Sequence, residues 1–447
     1  MSKYSGRGLL ASFENEEDTV DAAPMVEDAD NAEAALADAG EVQADINEAE
    51  GVVDQAIEDS ETLETVASQL ESREQSGGAT PEEAEMAEIT VESICNRLGI
   101  ARNPMQSMES FSSRSSRVRA TRLSVEGIRE VGDTIWKYIV KIYKKIKEWV
   151  LKAWDYLFDA RTKLLARAKA LEARLEKVEG TPKESVIQGS FIKDLMVGNN
   201  FTGVENTKTA LDAAVKKVKA AAAVRVGDMA TKIATATQNE AANSKERIVS
   251  VVQGEIDALV DGVSTKGAEN GAIAKPKGGK DYLVMFAPLG AEVPVILMPA
   301  KGSVQGVDAL KLYKKAKVVT EKSYDKVNEN FKAKVLEEAD MSGAVGKVIS
   351  ALEDMEDVKK DVNKFRDELE KAIKKLDSVG QTPTKDATNK DVNKVAKEAG
   401  QVVAVLPRVV SGAITNGSKV ILNYCRAVLD YVQKSAAQYK VEADDED

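Results

Sequence analysis

Apolar residues between 125 and 178 recur at three- and four-residue steps: Ile128, Val131, Ile135, Tyr138, Ile142, Ile146, Trp149, Ala153, Leu157, Leu164, Ala168, Leu171, Leu175 and Val178. Positions spaced in this way share one face of an α-helix, so the pattern predicts a single long amphipathic helix over 127–180, stopped by Gly180, Thr181 and Pro182. Its other side carries Lys137, Lys141, Lys144, Lys145, Lys147 and Lys152. All three tryptophans of the chain, Trp136, Trp149 and Trp154, fall in the same window.

Helical spacing returns further along. An alanine-rich segment, 202–260, places Leu211, Val215, Val218, Ile233, Ile248, Val252, Ile256 and Leu259 at helical intervals, and its small residues allow close helix packing. Residues 262–280 are rich in Gly, Lys and Pro, the composition of a loop. Two short apolar runs, 282–286 and 293–298, flank APLGAE and predict a β-hairpin inserted between helices. The pattern predicts helix again over 310–336 and 348–376. In the second, Leu352, Met355, Val362, Phe365, Leu369, Ile373 and Leu376 sit near heptad spacing, as in an oligomerising coiled-coil arm. Gly380, Thr382, Pro383 and Thr384 break the chain before a helix over 392–406; Pro407 interrupts it, and a last helix covers 419–439.

The chain before the long helix has a different character. Residues 14–92 are rich in Ala, Glu and Asp, with Ile46, Val53, Ile57, Leu63, Val66 and Leu70 scattered among them. Few aromatics and repelling like charges predict disorder, or else a helix that needs partners. Thr80, Pro81 and Glu83 carry the signature of a helix start. Residues 102–127 alternate serine with arginine and predict an extended, solvated linker that a protease or a nucleic-acid backbone could grip. The segments are therefore an acidic region (1–109), a Ser/Arg-rich linker (110–126), the Trp/Lys helix (127–180), an Ala-rich helical region and loop (181–280), the hairpin (281–300) and a C-terminal helical region (301–447). The expected fold is mainly α: an elongated helical bundle with a small β-hairpin insertion and a largely disordered acidic N-terminal region.

Composition supports that expectation and narrows the chemistry. Aromatics are 5% and charged residues 30% of 447, which suits helix surfaces better than β-sandwich interiors. Histidine is absent, removing the commonest metal ligand and the side chain best suited to proton transfer near neutral pH. Cys95 and Cys425 are too few for a disulfide framework or a zinc site, and fit a reducing cytoplasm. No apolar run is long enough to span a bilayer, and the first residues lack the apolar region of a signal peptide. Neither a phosphate-cradling loop nor a nucleophile elbow is found, and Glu353, Asp354, Glu356 and Asp357 read as one charged helix face. No enzymatic activity and no cofactor are expected.

Charge divides the chain. Through Glu126 there are 9 Lys and Arg against 28 Asp and Glu, a net of −19; with −12 overall, the residues from Gly127 carry +7. Such asymmetry marks an acidic tail joined to a body with a polyanion-binding or self-associating surface. The Trp/Lys helix itself admits three readings: core packing of a bundle, a membrane-interface helix, or nucleic-acid contact through its lysines.

Around the charge switch, the residues QSMESFSSRSSRVRATRLSVEGIREVGDTIWKYIVKIYKKIKEWVLKAWDYLFD resemble the start of the mature region in internal head proteins of large tailed bacteriophages. The resemblance implies an acidic propeptide that directs the protein to the assembling prohead and is removed by a prohead protease after a Ser-x-Glu motif. It implies a mature part that stays inside the capsid with the DNA and can be ejected with it. Two such motifs lie in the linker, at Ser107 to Glu109 and at Ser124 to Glu126 before Gly127; the same triplet occurs at 12–14, 72–74 and 244–246. The implied location is the capsid interior of the virion, after assembly in the host cytoplasm. The implied partners are other capsid and prohead proteins, the prohead protease and nonspecifically bound packaged DNA, with a membrane surface and self-association as further candidates. Two other functions stay open: a membrane-active or host-directed effector working through the Trp/Lys helix, and a helical oligomeric scaffold or adaptor.

Overall fold

The computed structural model describes residues 28–101, 108–198, 200–205, 207–238, 245–265, 282–297, 310, 313–314, 316–323, 331–380 and 390–441. The chain forms two units. Among the described residues, one holds 46–146 and the other 28–45 with 147–441.

The first unit is built from three helices: residues 46–75 of α1 (Asp28–Gln75), all of α2 (Pro81–Leu98) and residues 114–146 of α3 (Arg114–Leu175). For the described part of the acidic region, the partnered helix is therefore the arrangement adopted. Its scattered apolar residues make one stripe, with Val53, Ile57, Leu63 and Leu70 buried at 5% exposure or less alongside Ala49, Ala56 and Ala67. The turn from α1 to α2 needs two glycines, Gly77 at φ 114° and Gly78 at φ 91°. At Gly78 a Cβ would fall 2.5 Å from Arg117 Cβ and 2.6 Å from the Arg117 carbonyl carbon, so backbone approaches backbone here. The next residue ties the turn to α3, because Ala79 N–H donates to Thr121 Oγ1 at 2.8 Å. Helix α2 starts where the sequence signals: Thr80 and Glu83 form a reciprocal capping box, Pro81 opens the first turn, and Gly99 in the left-handed region ends it. Arg97 of α2 forks onto the buried Asp59 carboxylate of α1.

The second unit is assembled around α9 (Lys390–Ala436), which touches α4 (Phe191–Asp194), α5 (Thr207–Ala222), α6 (Val226–Gln238), α7 (Lys245–Val263) and α8 (Glu338–Gly380). It also touches strands β6 (Glu292–Leu297) and β7 (Lys317–Lys322) of a three-stranded antiparallel sheet that β5 (Tyr282–Val284) completes. Residues 147–175 of α3 join this unit through Trp154, whose Nε1–H donates to Thr415 Oγ1 at 2.9 Å and whose ring meets Phe365 edge-on at 5.9 Å. Arg161 donates to the Leu352 carbonyl at 2.7 Å and pairs with Glu356 at 2.7 Å. Residues 28–45 of α1 bury Ala32, Ala35, Leu36, Ala39 and Val42 in the same unit, and Glu33 pairs with Arg426 at 2.9 Å. Three two-stranded ladders close the chain's reversals: β1 (Val178–Glu179) with β9 (Lys440–Val441), β2 (Val186–Ile187) with β8 (Ala333–Lys334), and β3 (Met196–Val197) with β4 (Asn200–Phe201). None of the three is signalled by periodicity, since two residues are too few to show one.

Four sequence expectations are corrected. The linker is not extended: α3 begins at Arg114, because Ser113 and Ser116 cap its first turn reciprocally, each backbone N–H reaching the other's hydroxyl at 3.3 Å. Among its described residues, the stretch 310–336 is not helical throughout: residues 310 and 313 are, but the chain turns to strand after them. Its β-branched run Val318, Val319, Thr320 is strand β7, which pairs with β6 in the register Val319 to Val295 and so extends the expected hairpin by one strand. The heptad stripe of 348–376 is not a free arm, since Leu352, Met355, Val362, Phe365, Leu369, Ile373 and Leu376 are 0–5% exposed within α8, which lies against α5, α6 and α9. Pro407 does not end a helix. It lies inside α9, where Leu406, Val409 and Val410 are fully buried around it, and that burial offsets the roughly 3 kcal/mol a proline costs a helix interior.

Two measurements check this packing. Replacing Gly78 by Ala is expected to destabilise the first unit by more than about 2 kcal/mol, from left-handed strain plus backbone overlap. Gly51→Ala, on the open face of α1, should instead stabilise by about 0.5–1 kcal/mol; chemical denaturation of the two variants reads the difference in sign. Burial pushes the Cys425 thiol up to about 12, and Cys95 is also buried, so both should resist alkylation in the native chain and react together on unfolding.

Candidate processing junction and cationic helix face

Between α2 and α3 the backbone is described again from Met108, in a single 3-10 turn, Met108–Phe111. Ser107 lies outside the described residues, as do 12–14 and Ser244. Glu109 is exposed, and its carbonyl accepts from Ser112 N–H at 3.2 Å. Phe111, 1% exposed, anchors the turn, which touches α2. The Glu109–Ser110 bond thus lies in a one-turn element beside a buried anchor. A protease needs an extended substrate, and extending this turn breaks few backbone hydrogen bonds.

The second motif is placed differently. Ser124 and Val125 are 1% and 3% exposed, and the Ser124 hydroxyl is buried without a hydrogen-bond partner among the described residues. Glu126 is exposed and lies 3.5 Å from Arg122 one turn earlier; Gly127 is half-buried with open space where a side chain would stand. The Glu126–Gly127 bond is therefore interior to a 62-residue helix, and presenting it in extended form requires unwinding the part of α3 that the first unit is built on. The triplet 72–74 closes α1, with Ser72 exposed.

Along α3 the tryptophans separate. Trp136 is 7% exposed in the first unit and Trp154 1% exposed in the second, while Trp149 is half-exposed. They form no common stripe. Lys137, Lys141, Lys144 and Lys152 are exposed and Lys145 and Lys147 half-buried, with the Lys152 ammonium 5.7 Å from the Tyr156 ring centroid. On the exposed side, Arg119 and Arg122 are followed by Glu126, Glu130 and Asp133, and those by Lys137, Lys141 and Lys144. The last three span about 10 Å of helix, enough to meet a short run of phosphates and too little to read a base sequence. Tyr138 and Ile142 stand half-buried beside them, and burial raises the Tyr138 phenol above its usual range.

The carboxylates of α8 serve structure. Glu353 meets Lys169 at 2.8 Å, Glu356 meets Arg161, and Asp357 is shared by Lys219 and Lys360, whose hydrogen bonds hold it below the usual carboxylate range. Among the described residues no group of His, Cys, Asp and Glu could hold a metal ion, and no helix is long and apolar enough to cross a membrane. Sequence reasoning missed the helical state of 114–126. A signal was present in Ala120, Ser124, Val125, Ile128 and Val131, which carry the three- and four-residue spacing back past the expected boundary.

A sequence model of the phiKZ-like phage internal head proteins matches residues 41–434 of the chain. No curated protein and no solved structure matches it.

The two junctions should differ in a simple assay. A Glu-specific endoproteinase acting on the native chain is expected to cut after Glu109 well before it cuts after Glu126, with N-terminal sequencing of the early fragments as the readout. Gly127→Ala, which strengthens the helix, should leave the first cut unchanged and slow the second further.

Proposed function

This chain belongs to the phiKZ-like phage internal head proteins, with a structural role in the capsid interior, and we propose that it is made as a precursor whose acidic region, 1–109, is removed by a prohead protease after Glu109. The residues from Ser110 to the end then remain inside the capsid with the packaged DNA. The observation that carries this reading is an exposed, easily opened turn at Glu109, the last carboxylate before the run Arg114, Arg117, Arg119 and Arg122. Residues 1–109 hold 5 Lys and Arg against 27 Asp and Glu, a net of −22, so the remainder carries +10. A segment of −22 repels a polyphosphate, and the body left behind attracts one.

Cleavage alone would not free the acidic region. Its residues Val53, Ile57, Leu63 and Leu70 of α1 and Val91, Ile94 and Leu98 of α2 are buried in the unit that also holds residues 114–146 of α3. The cut converts a covalent cover into a dissociable one, and separation uncovers Ile128, Ile135, Trp136, Ile139 and Tyr143 of α3. The body would bind duplex DNA through counterion release, without sequence preference and with an affinity that falls steeply as salt rises.

The intact mass and N-terminal residue of the protein from virions test the proposal. Ser110 is the expected first residue. An intact N-terminal region overturns the precursor reading, and a start at Gly127 overturns the choice of junction. The virion-derived protein should retain duplex DNA at low salt and release it as salt rises, and the uncleaved chain should retain less.

A further inference from the structure

Helix α2 carries two exposed large apolar side chains. Met86 is 71% and Ile89 60% exposed, the most exposed large apolar side chains among the described residues. Helical spacing puts Glu82, Glu85 and Glu92 on the same side, with Ser93 and Asn96 beyond them. The opposite side of α2, with Ala84, Ala87, Val91, Ile94 and Leu98, is the one buried in the unit. Two large apolar groups ringed by carboxylates on a well-capped helix are the chemistry of a docking strip for a cationic, partly apolar partner. Nucleic acid and anionic lipid are disfavoured as occupants by the carboxylates themselves.

The chain holds a matching strip. On α3, Lys137, Lys141 and Lys144 are exposed, with Tyr138 and Ile142 half-buried alongside. The acidic strip from Glu82 to Glu92 runs about 15 Å and the lysines about 10 Å, so one can lie along the other. Both belong to the first unit. Met86 and Ile89 are exposed as they stand there, so the pairing has to be made between molecules. We propose that the α2 strip of one copy docks on the Lys137, Lys141 and Lys144 strip of α3 in a second copy, a contact confined to chains that still carry residues 81–98. Because every copy holds both strips, mutual exchange closes a two-fold dimer and one-way exchange extends into a chain of copies. On the processing reading above, loss of the acidic region abolishes this contact and frees the same lysines for phosphate.

Sedimentation velocity of the full-length chain at low and high salt tests the contact. Association that grows with concentration and weakens with salt is expected, and Met86→Ser with Ile89→Ser should weaken it by about tenfold or more. Lys137→Glu with Lys141→Glu should weaken it comparably, and adding Glu85→Lys to that pair should restore part of the loss. Both sets are surface changes, so an unaltered thermal midpoint shows that the fold is intact. A monomeric full-length chain at every soluble concentration overturns the proposal, as does association indifferent to the α2 substitutions. Association sensitive to α2 but not to the α3 lysines overturns the assigned partner. All of these use the uncleaved chain and leave the N-terminus of the virion protein as a separate question.

Discussion

Helix α9 has apolar residues on every side, and the second unit is arranged as the means of enclosing them. From Val402 to Leu406 no side chain is more than 1% exposed, and Val409, Val410, Ile414, Ile421, Leu422, Val428, Leu429 and Val432 continue the pattern at 0%. A helix of that kind is stable only when surrounded, and helices α4 to α8 and strands β6 and β7 are among the elements that touch it. Close approach is helped by its glycines: a Cβ at Gly417 would stand 2.7 Å from Val218 Cγ2 of α5, and one at Gly412 3.1 Å from Val318 Cβ of β7. Polar groups then fix which neighbour goes where. Thr415 accepts from Trp154, Asn416 accepts from Thr320, and Gln401 accepts from Lys314 at 2.7 Å. Each such pair, buried or partly buried, penalises any rotation of α9 that would leave it unmatched.

The same enclosure explains which parts of the fold were legible in the sequence. Amphipathic helices show a period because half of each faces water, and α3, α5, α7 and α8 were readable for that reason. Helix α9 shows no period through its middle, so Pro407 looked like an end. The strand at Lys317–Lys322 was hidden by the lysines and glutamate around Val318 and Val319 and by its dependence on β6, a partner some twenty residues away. The heptads of α8 were real, but spacing cannot say whether a stripe meets its own chain or another. Here α5, α6 and α9 occupy it. At the candidate junction, both Ser-x-Glu triplets were visible, yet nothing local to them separates an exposed Glu109 from a Glu126 one residue beyond the buried Val125.

Electrostatics in the first unit follow a different logic from burial in the second. Its acidic helices carry a narrow stripe rich in alanine, which needs little apolar volume to close, and ion pairs such as Arg97 with Asp59 and Arg73 with Glu83 at 2.8 Å lie at its margins. The exposed Arg73–Glu83 pair is worth little by itself, whereas the Arg97 fork reaches the buried Asp59 and counts for more. The unit is therefore held by a modest apolar seam and precise turn chemistry at Gly77, Gly78 and Thr80, an assembly suited to coming apart once a covalent connection is cut.

Helix α3 is where the two logics meet, because it lends one half to each unit. Its buried side requires cover over its whole length, and on the processing reading the part that lies in the first unit would lose residues 46–98. Its exposed side alternates in sign, basic near Arg119, acidic near Glu130 and basic again at Lys137, so any partner is selected by charge and by position along the helix. On the proposals above, a polyanion and the acidic helix of a second copy would compete for the same three lysines, and the acidic helix would have the advantage wherever Met86 and Ile89 add apolar contact. Removing residues 1–109, as proposed, would eliminate that competitor and the net charge of −22 in one step. On the processing reading, a single proteolytic event would change what the protein attracts and would also reach the unit built around α9, which would lose the buried Ala32, Ala35, Leu36, Ala39 and Val42 and the Glu33–Arg426 pair.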